Sequence, residues 1–387
     1  TDHSNAEEPP KATVLFAVEL PDRGGDTQYF NLQEAYDDLP TDMKARIAEE
    51  TRLVVARQLE CGVDCVNDGE MAKSNFTAYA GQRLAGFELR PEDQRPEGYP
   101  LSIIARDMQR YAKYFEKTGG WVVQVAPNNV VVEDLKYIGQ EAIAEDIANF
   151  KAALEGHAPQ QSYLPSVTPG SIEHWLANEH YGSTEDFVFA IAEAMGEEYE
   201  AINNAGFLLQ VDDPDLPDGW QMHPGMSVAE YRKYAEMRVE ALNHGLRNIP
   251  AESIRLHVCW GSNHGPHQSD IGMEHIIDLI FKVKAGSYSF EASNPMHEHE
   301  WKVFEDVKPP EGTYIVPGVV GHCTDFIEHP ELIAERLCRY ANLVGRDNVM
   351  AGTDCGLGPR VGEAEIAWAK LEAMTEGARI ATKQLWG

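Results

Sequence analysis

The sequence predicts an α/β protein folded as a (β/α)8 TIM barrel with an extra strand and short insertions. Three observations point there. Short β-branched apolar runs alternate with segments of helical periodicity, which implies right-handed βαβ units and a parallel sheet. Several of these runs turn abruptly from apolar to carboxylate, imidazole or thiol at their C-terminal ends, where such barrels carry their sites. A doubly wound sheet fits the alternation as well, but "VELPDRGG" after the first run lacks the GxGxxG spacing of a phosphate loop.

In chain order, the polar, acidic segment "TDHSNAEEPPKA" (1–12) reads as a flexible tail, and 13–387 as one catalytic domain. "TVLFAVEL" (13–20) is the first strand and 41–61 the first helix. "DCVNDGE" (64–70) and "WVVQVAP" (121–127) are strand candidates, followed by a helix at 132–154. Next come "SYLPSVTPG" (162–170), a helix at 184–204, "GFLLQVDDP" (206–214), a helix at 227–246 and "SIRLHVCWG" (253–261). A helix at 270–285, "SYSFEASNP" (287–295), "TYIVPGVVGH" (313–322), a helix at 330–345 and "NVMAGTDCGLG" (348–358) complete the set. These are nine strand candidates for eight barrel positions, and 121–127 is assigned outside the barrel.

Composition narrows the function. Lys and Arg total 32 against 63 Asp and Glu, a formal charge of −31, which disfavours nucleic acid and anionic membrane as partners. No run approaches the roughly 18 to 20 apolar residues of a membrane span, and the N-terminus is unlike a signal peptide. Six cysteines in 387 residues do not make a disulfide framework. A reduced, cytoplasmic setting is expected, with thiols available as ligands. Barrels of this kind often pair, but nothing here identifies a homo-oligomer interface.

Reading each strand to its end collects Asp68 and Glu70, Asp212 and Asp213, His257 and Cys259, Glu291, His322 and Cys323, and Asp354 and Cys355. Carboxylates and thiols facing one barrel mouth are costly to bury without compensation, and a cation supplies it. His257, Cys259, Glu291 and Cys355 are the ligand types that Zn²⁺ takes. His257 and Cys259 are two apart and so share one face of an extended strand. Singly, each has another reading: free cysteine packs as a small hydrophobe, and a core histidine bonds a carbonyl.

The combination "HVCWG", "FEASNP" and "TDCGLG" resembles the catalytic barrel of cobalamin-independent methionine synthase. More closely it is similar to the short, single-barrel members of that family, which include epoxyalkane:coenzyme M transferase. The resemblance spans roughly residues 60 to 370, and the length leaves no room for a second barrel. It implies that His257, Cys259, Glu291 and Cys355 bind zinc. It also implies that Glu70 of "DGE" and Asp212 of "VDDP" hold the polar end of a thiol substrate. Two thiolates and a carboxylate outweigh the charge of the ion, so a thiol held there stays electron-rich, which suits sulfur alkylation better than water activation.

Three departures bear on the substrate. Glu19 stands where methionine synthases hold an amino-acid carboxylate, and it would repel that group by about 1 kcal/mol at 4 Å in water. His322 is displaced by one residue from the family's histidine, which reverses its direction in a strand. It is assigned as a general acid, the alternative being a histidine bonded to a neighbouring loop. Met296 replaces a basic residue of short members, with His297 and His299 as substitutes or as surface residues. His264 and His267 are assigned to the substrate entrance or to a plain loop. Cys61 and Cys65 read as packing residues, and Trp260 and Trp301 as core packing or as an apolar wall for the alkyl donor.

The expected function is a zinc-dependent thiol S-methyl- or S-alkyltransferase acting on a small-molecule thiol acceptor and an alkyl donor. Epoxide ring opening of the epoxyalkane:coenzyme M transferase type is the alternative within that chemistry. From other classes come a zinc hydrolase with Asp354 or Asp213 as base, and a non-catalytic thiol-binding barrel.

Overall fold

The computed structural model describes residues 41–73, 75–76, 79–91, 94, 99, 102–118, 129–358 and 360–387. These belong to the unit Pro40–Gly387. The tail 1–12, the strand at 13–20 with Glu19, and the strand at 121–127 lie outside the described residues.

Among the described residues a seven-stranded, all-parallel sheet runs in the order β1 (Cys65–Asn67), β4 (Gln161–Val167), β6 (Leu208–Asp213), β7 (Ile254–Val258), β8 (Ser287–Glu291), β9 (Tyr314–Val320), β10 (Gly352–Thr353). It is the curled parallel sheet of a TIM-barrel-like fold. Its longer helices are α1 (Thr41–Glu60), α2 (Gln140–Ala153), α3 (Thr184–Asn204), α4 (Val228–Gly245), α5 (Pro330–Val344) and α6 (Ala364–Trp386). Strands β7 and β8 are buried along their whole length, as expected of parallel strands covered on both faces.

Local chemistry sets the helix ends. Ser183 caps α3 by accepting the Asp186 amide at 3.0 Å. Ser227 and Glu230 form a reciprocal capping box at the start of α4. Phe187, Ile191, Met195, Tyr199 and Ile202 then line the buried face of α3 at helical spacing.

Two helix expectations are corrected. The segment 132–154 begins as strand: β3 (Asn129–Tyr137) pairs antiparallel with β2 (Leu84–Leu89) and parallel with β5 (Leu176–Asn178), a three-stranded sheet outside the barrel. The segment 270–285 is a 3-10 turn at Met273–His275 and one short helix, Ile277–Ile280. Ile271, Met273, Ile276, Ile277, Leu279, Ile280 and Val283 are all buried. Its apolar residues point into the core while Glu274, Asp278, Lys282 and Lys284 face outward, so it covers the core as a compact connection.

Strand register positions the site. Asp212 on β6 lies level with His257 on β7, and His257 lies level with Ser289 on β8. Glu291 lies level with Gly318 on β9. A Cβ at Gly318 would stand 2.2 Å from Asp354 Oδ1, so only glycine lets the chain after β10 approach this closely.

Candidate metal and thiol centre

Strand β7 delivers His257, and Cys259 follows one residue past its end, both buried. Cys355 follows β10. The donor atoms of His257, Cys259 and Cys355 all lie within 4.8 Å of one another. One imidazole and two thiols are donor types that zinc accepts, and their spacing leaves them in reach of a common ion. The ring of His257 is oriented by Ser289, whose hydroxyl meets Nδ1 at 3.1 Å and leaves Nε2 toward the cysteines. Fixing one imidazole nitrogen from behind is how metal-ligating histidines are held.

The two thiols are unequal. Hydrogen bonds from Cys259 and His257 pull the Cys355 thiol well below its ordinary range, against the effect of burial. The same Cys259–Cys355 bond, together with burial, pushes Cys259 up. Bonding to Cys355 raises His257 to about 9, although burial opposes it. The cluster thus already favours thiolate beside imidazolium, the charge pattern a cation would replace.

Glu291, the fourth expected ligand, falls in an adjoining buried group with His322 and Asp354, donor atoms again within 4.8 Å of one another. Its Oε1 accepts the Trp260 amide at 2.7 Å and its Oε2 the Asn294 amide at 3.0 Å. Asp354 Oδ1 accepts the Ala292 and Ser293 amides at 2.8 and 2.9 Å, and burial raises its pKa well above the carboxylate range. Asp213 accepts the Leu216 amide at 3.2 Å, and burial lifts it to about 8. Both aspartates bracket backbone, which is poor geometry for a hydrolytic base. His322 is buried, with Nε2 2.9 Å from the Ser262 hydroxyl and 3.4 Å from the Cys323 thiol. Its Nδ1 has no partner among the described residues.

Asp212 and Glu70 extend the centre outward. Burial raises Asp212 to about 7; His257 opposes, while the charges of Glu70 and Cys355 add. Glu70 has φ +53° and follows Gly69 at φ +68°, a left-handed turn after β1. Asp68, buried beneath it, is raised to about 6 by burial.

The loop histidines divide. His264 is exposed. His267 is buried, with Nδ1 2.7 Å from Asp270 and Nε2 2.9 Å from the Asn263 carbonyl. His297 is also buried, between Asp270 at 3.2 Å and Glu300 at 2.9 Å, and its ring lies 4.3 Å from that of Trp260. His299 is exposed. Cys61, Cys65 and Trp260 pack as expected: Cys61 against α6, Cys65 against Arg255, and Trp260 in the core with its indole N–H on the Ile271 carbonyl.

Sequence reasoning passed over Ser289 and Lys73. Ser289 had a signal, as a hydroxyl two residues before Glu291 and so on the same face of a buried strand. Lys73, three residues beyond Glu70, carried only that spacing.

A parallel, TIM-barrel-like sheet whose strand ends gather an imidazole, two thiols and carboxylates defines a barrel protein with a candidate metal-ligand group at those ends. The model of the cobalamin-independent synthase catalytic domain matches residues 167–380, and the chain belongs to that family. A second model, the taurine catabolism dioxygenase TauD, TfdA family, matches residues 1–150. That stretch contributes β1 to the same parallel sheet. The chain is 22% identical to the methionine synthase of Thermococcus kodakarensis, over 92% of this chain and 89% of that protein. It is 24% identical to the methionine synthase of Sulfurisphaera tokodaii, over 92% and 85%. Its fold is similar to a B12-independent methionine synthase from Shewanella sp. W3-18-1 in complex with selenomethionine, with TM-score 0.68, 20% identity and 88% and 89% coverage.

Proposed function

We propose that this protein is a zinc-dependent thiol S-methyl- or S-alkyltransferase, with His257, Cys259, Glu291 and Cys355 as the metal ligands. The observation that carries the reading is the convergence of the His257, Cys259 and Cys355 donor atoms from strand ends about a hundred residues apart in sequence. Zinc, when bound, supplies the positive centre at which a small thiol gives up its proton. The residues around it do the rest. Ser289 holds the His257 ring, and the Trp260 amide and Asn294 hold Glu291. Two thiolates and a carboxylate make the surroundings anionic, which favours an electron-rich sulfur over an acidified water.

Asp212 and Glu70 bind the polar end of the acceptor. Two carboxylates within electrostatic reach of each other suit an ammonium group. The acceptor is therefore an aminothiol of the homocysteine type, the substrate class that the names of the related methionine synthases imply. His322 carries the proton for the departing group at Nδ1, which has no partner among the described residues.

Calorimetric titration of the zinc-loaded protein with homocysteine tests the reading. The expected result is saturable binding with release of about one proton per thiol, lost when zinc is removed. Failure of the zinc-loaded protein to bind homocysteine would overturn it.

A further inference from the structure

Glu70 occupies an unusual position. A non-glycine residue at φ +53° is strained and persists only where neighbours over-determine it. Here the Gly69 amide donates to Asn67 Oδ1 at 2.7 Å and the Glu70 amide to Asp68 Oδ1 at 3.0 Å. The Lys73 amide closes the turn on the Glu70 carbonyl at 3.0 Å. The turn serves to aim one side chain, and that side chain stays 35% exposed.

Lys73 does the aiming. Its side chain is only 5% exposed, and an ammonium is buried so deeply only where partners compensate it. Nζ donates to Glu70 Oε1 at 3.1 Å and to the Pro165 carbonyl at 2.5 Å, and lies 4.4 Å from the Tyr79 ring centroid. Tyr79 is itself fixed, its hydroxyl donating to Glu198 at 2.9 Å. Pro165 is on β4, two residues before Val167, which lies level with Asp212 on β6. One buried cation therefore ties the Glu70 turn to β4, the strand paired with the one that carries Asp212, and offsets part of the Glu70 charge.

We infer that Lys73 is a positioning residue that sets acceptor specificity: it occupies Glu70 Oε1 and leaves Oε2 for the ammonium group of an aminothiol. This rests on the function proposed above. Lys73 touches neither the sulfur nor the metal donors, so its loss should act on recognition of the amine alone.

The test titrates zinc-loaded wild type, Lys73→Met, Lys73→Gln and Lys73→Arg with homocysteine and with 4-mercaptobutyrate, which is homocysteine without its amino group. Zinc content is measured in parallel. Lys73→Met and Lys73→Gln are expected to bind homocysteine about tenfold more weakly, the loss of one charge-assisted contact. Their affinity for 4-mercaptobutyrate and their zinc content should stay at the wild-type values, and Lys73→Arg should recover most of the homocysteine affinity. Should the methionine variant not fold, the glutamine variant carries the same expectation. Equal weakening of both thiols, or of neither, would overturn the inference while leaving the thiol-transferase reading intact. A wild type that binds neither thiol would overturn both.

Discussion

His257 and Ser289 lie level on adjacent parallel strands, and the serine hydroxyl meets the imidazole Nδ1 at 3.1 Å. The contact fixes which nitrogen is presented to Cys259 and Cys355. Without it the ring can rotate or take the other tautomer. Ser289→Ala is expected to weaken zinc binding about 10- to 100-fold, measured by competition with a chromogenic chelator. Unchanged affinity would mean that the strand alone fixes the ring.

Asp212 and Glu70 stand outside the metal cluster. Asp212→Asn and Glu70→Gln should each keep a full zinc complement and lose about 10- to 100-fold in homocysteine affinity, the worth of one charge-assisted hydrogen bond. Zinc analysis beside calorimetry separates the two effects. A drop in zinc content would move these carboxylates into the metal shell.

The buried network of His267, Asp270, His297 and Glu300 joins the loops after β7 and β8. Both histidines are raised to about 9, chiefly by hydrogen bonding to Asp270 against the effect of burial. A histidine whose folded pKa lies above its unfolded value of about 6.5 stabilises fully below that value and loses the contribution as pH rises through the folded pKa. Thermal stability should therefore fall between about pH 6.5 and pH 9. The slope should flatten in His297→Gln. A wild-type profile flat across this range would contradict the assignment of charge.

Lys370 on α6 is fully buried and pairs with Glu328 Oε2 at 2.9 Å, while Glu328 Oε1 accepts the Gly321 amide at 2.8 Å. Removing one partner of a buried pair strands the other. Lys370→Met should cost about 3 to 5 kcal/mol in urea unfolding. It should also loosen the turn that carries His322. A loss below about 1 kcal/mol would show that water reaches the pair.

What the sequence revealed, and what it hid, have the same physical origin. The strand ends were legible because a buried apolar run that stops at "HVC" or "TDC" places imidazole and thiol where a compensating partner is required, and His257, Cys259 and Cys355 do meet. The helices at 184–204 and 330–345 were legible from their helical periodicity. Strand β3 was not, because "VVVEDLKY" alternates too weakly and runs into a true helix at Gln140. The helix Ala364–Trp386 was passed over for want of a strand after it. Placing Glu291 beside His322 and Asp354 needs the register of β8 on β9, which no local pattern encodes. His267 looked like an entrance residue because its partners Asp270 and Asn263 belong to a loop whose folding back is not visible in one dimension.

In the proposed function, one imidazole and two thiolates of this chain, with Glu291, form a single zinc centre that takes up a substrate thiol. Zinc-edge X-ray absorption on the loaded protein measures this directly. The expected result is about one zinc per chain with two sulfur neighbours at about 2.3 Å, rising to three when homocysteine is added and falling to one in Cys355→Ala. A shell without sulfur, or one unchanged by both homocysteine and Cys355→Ala, would contradict it.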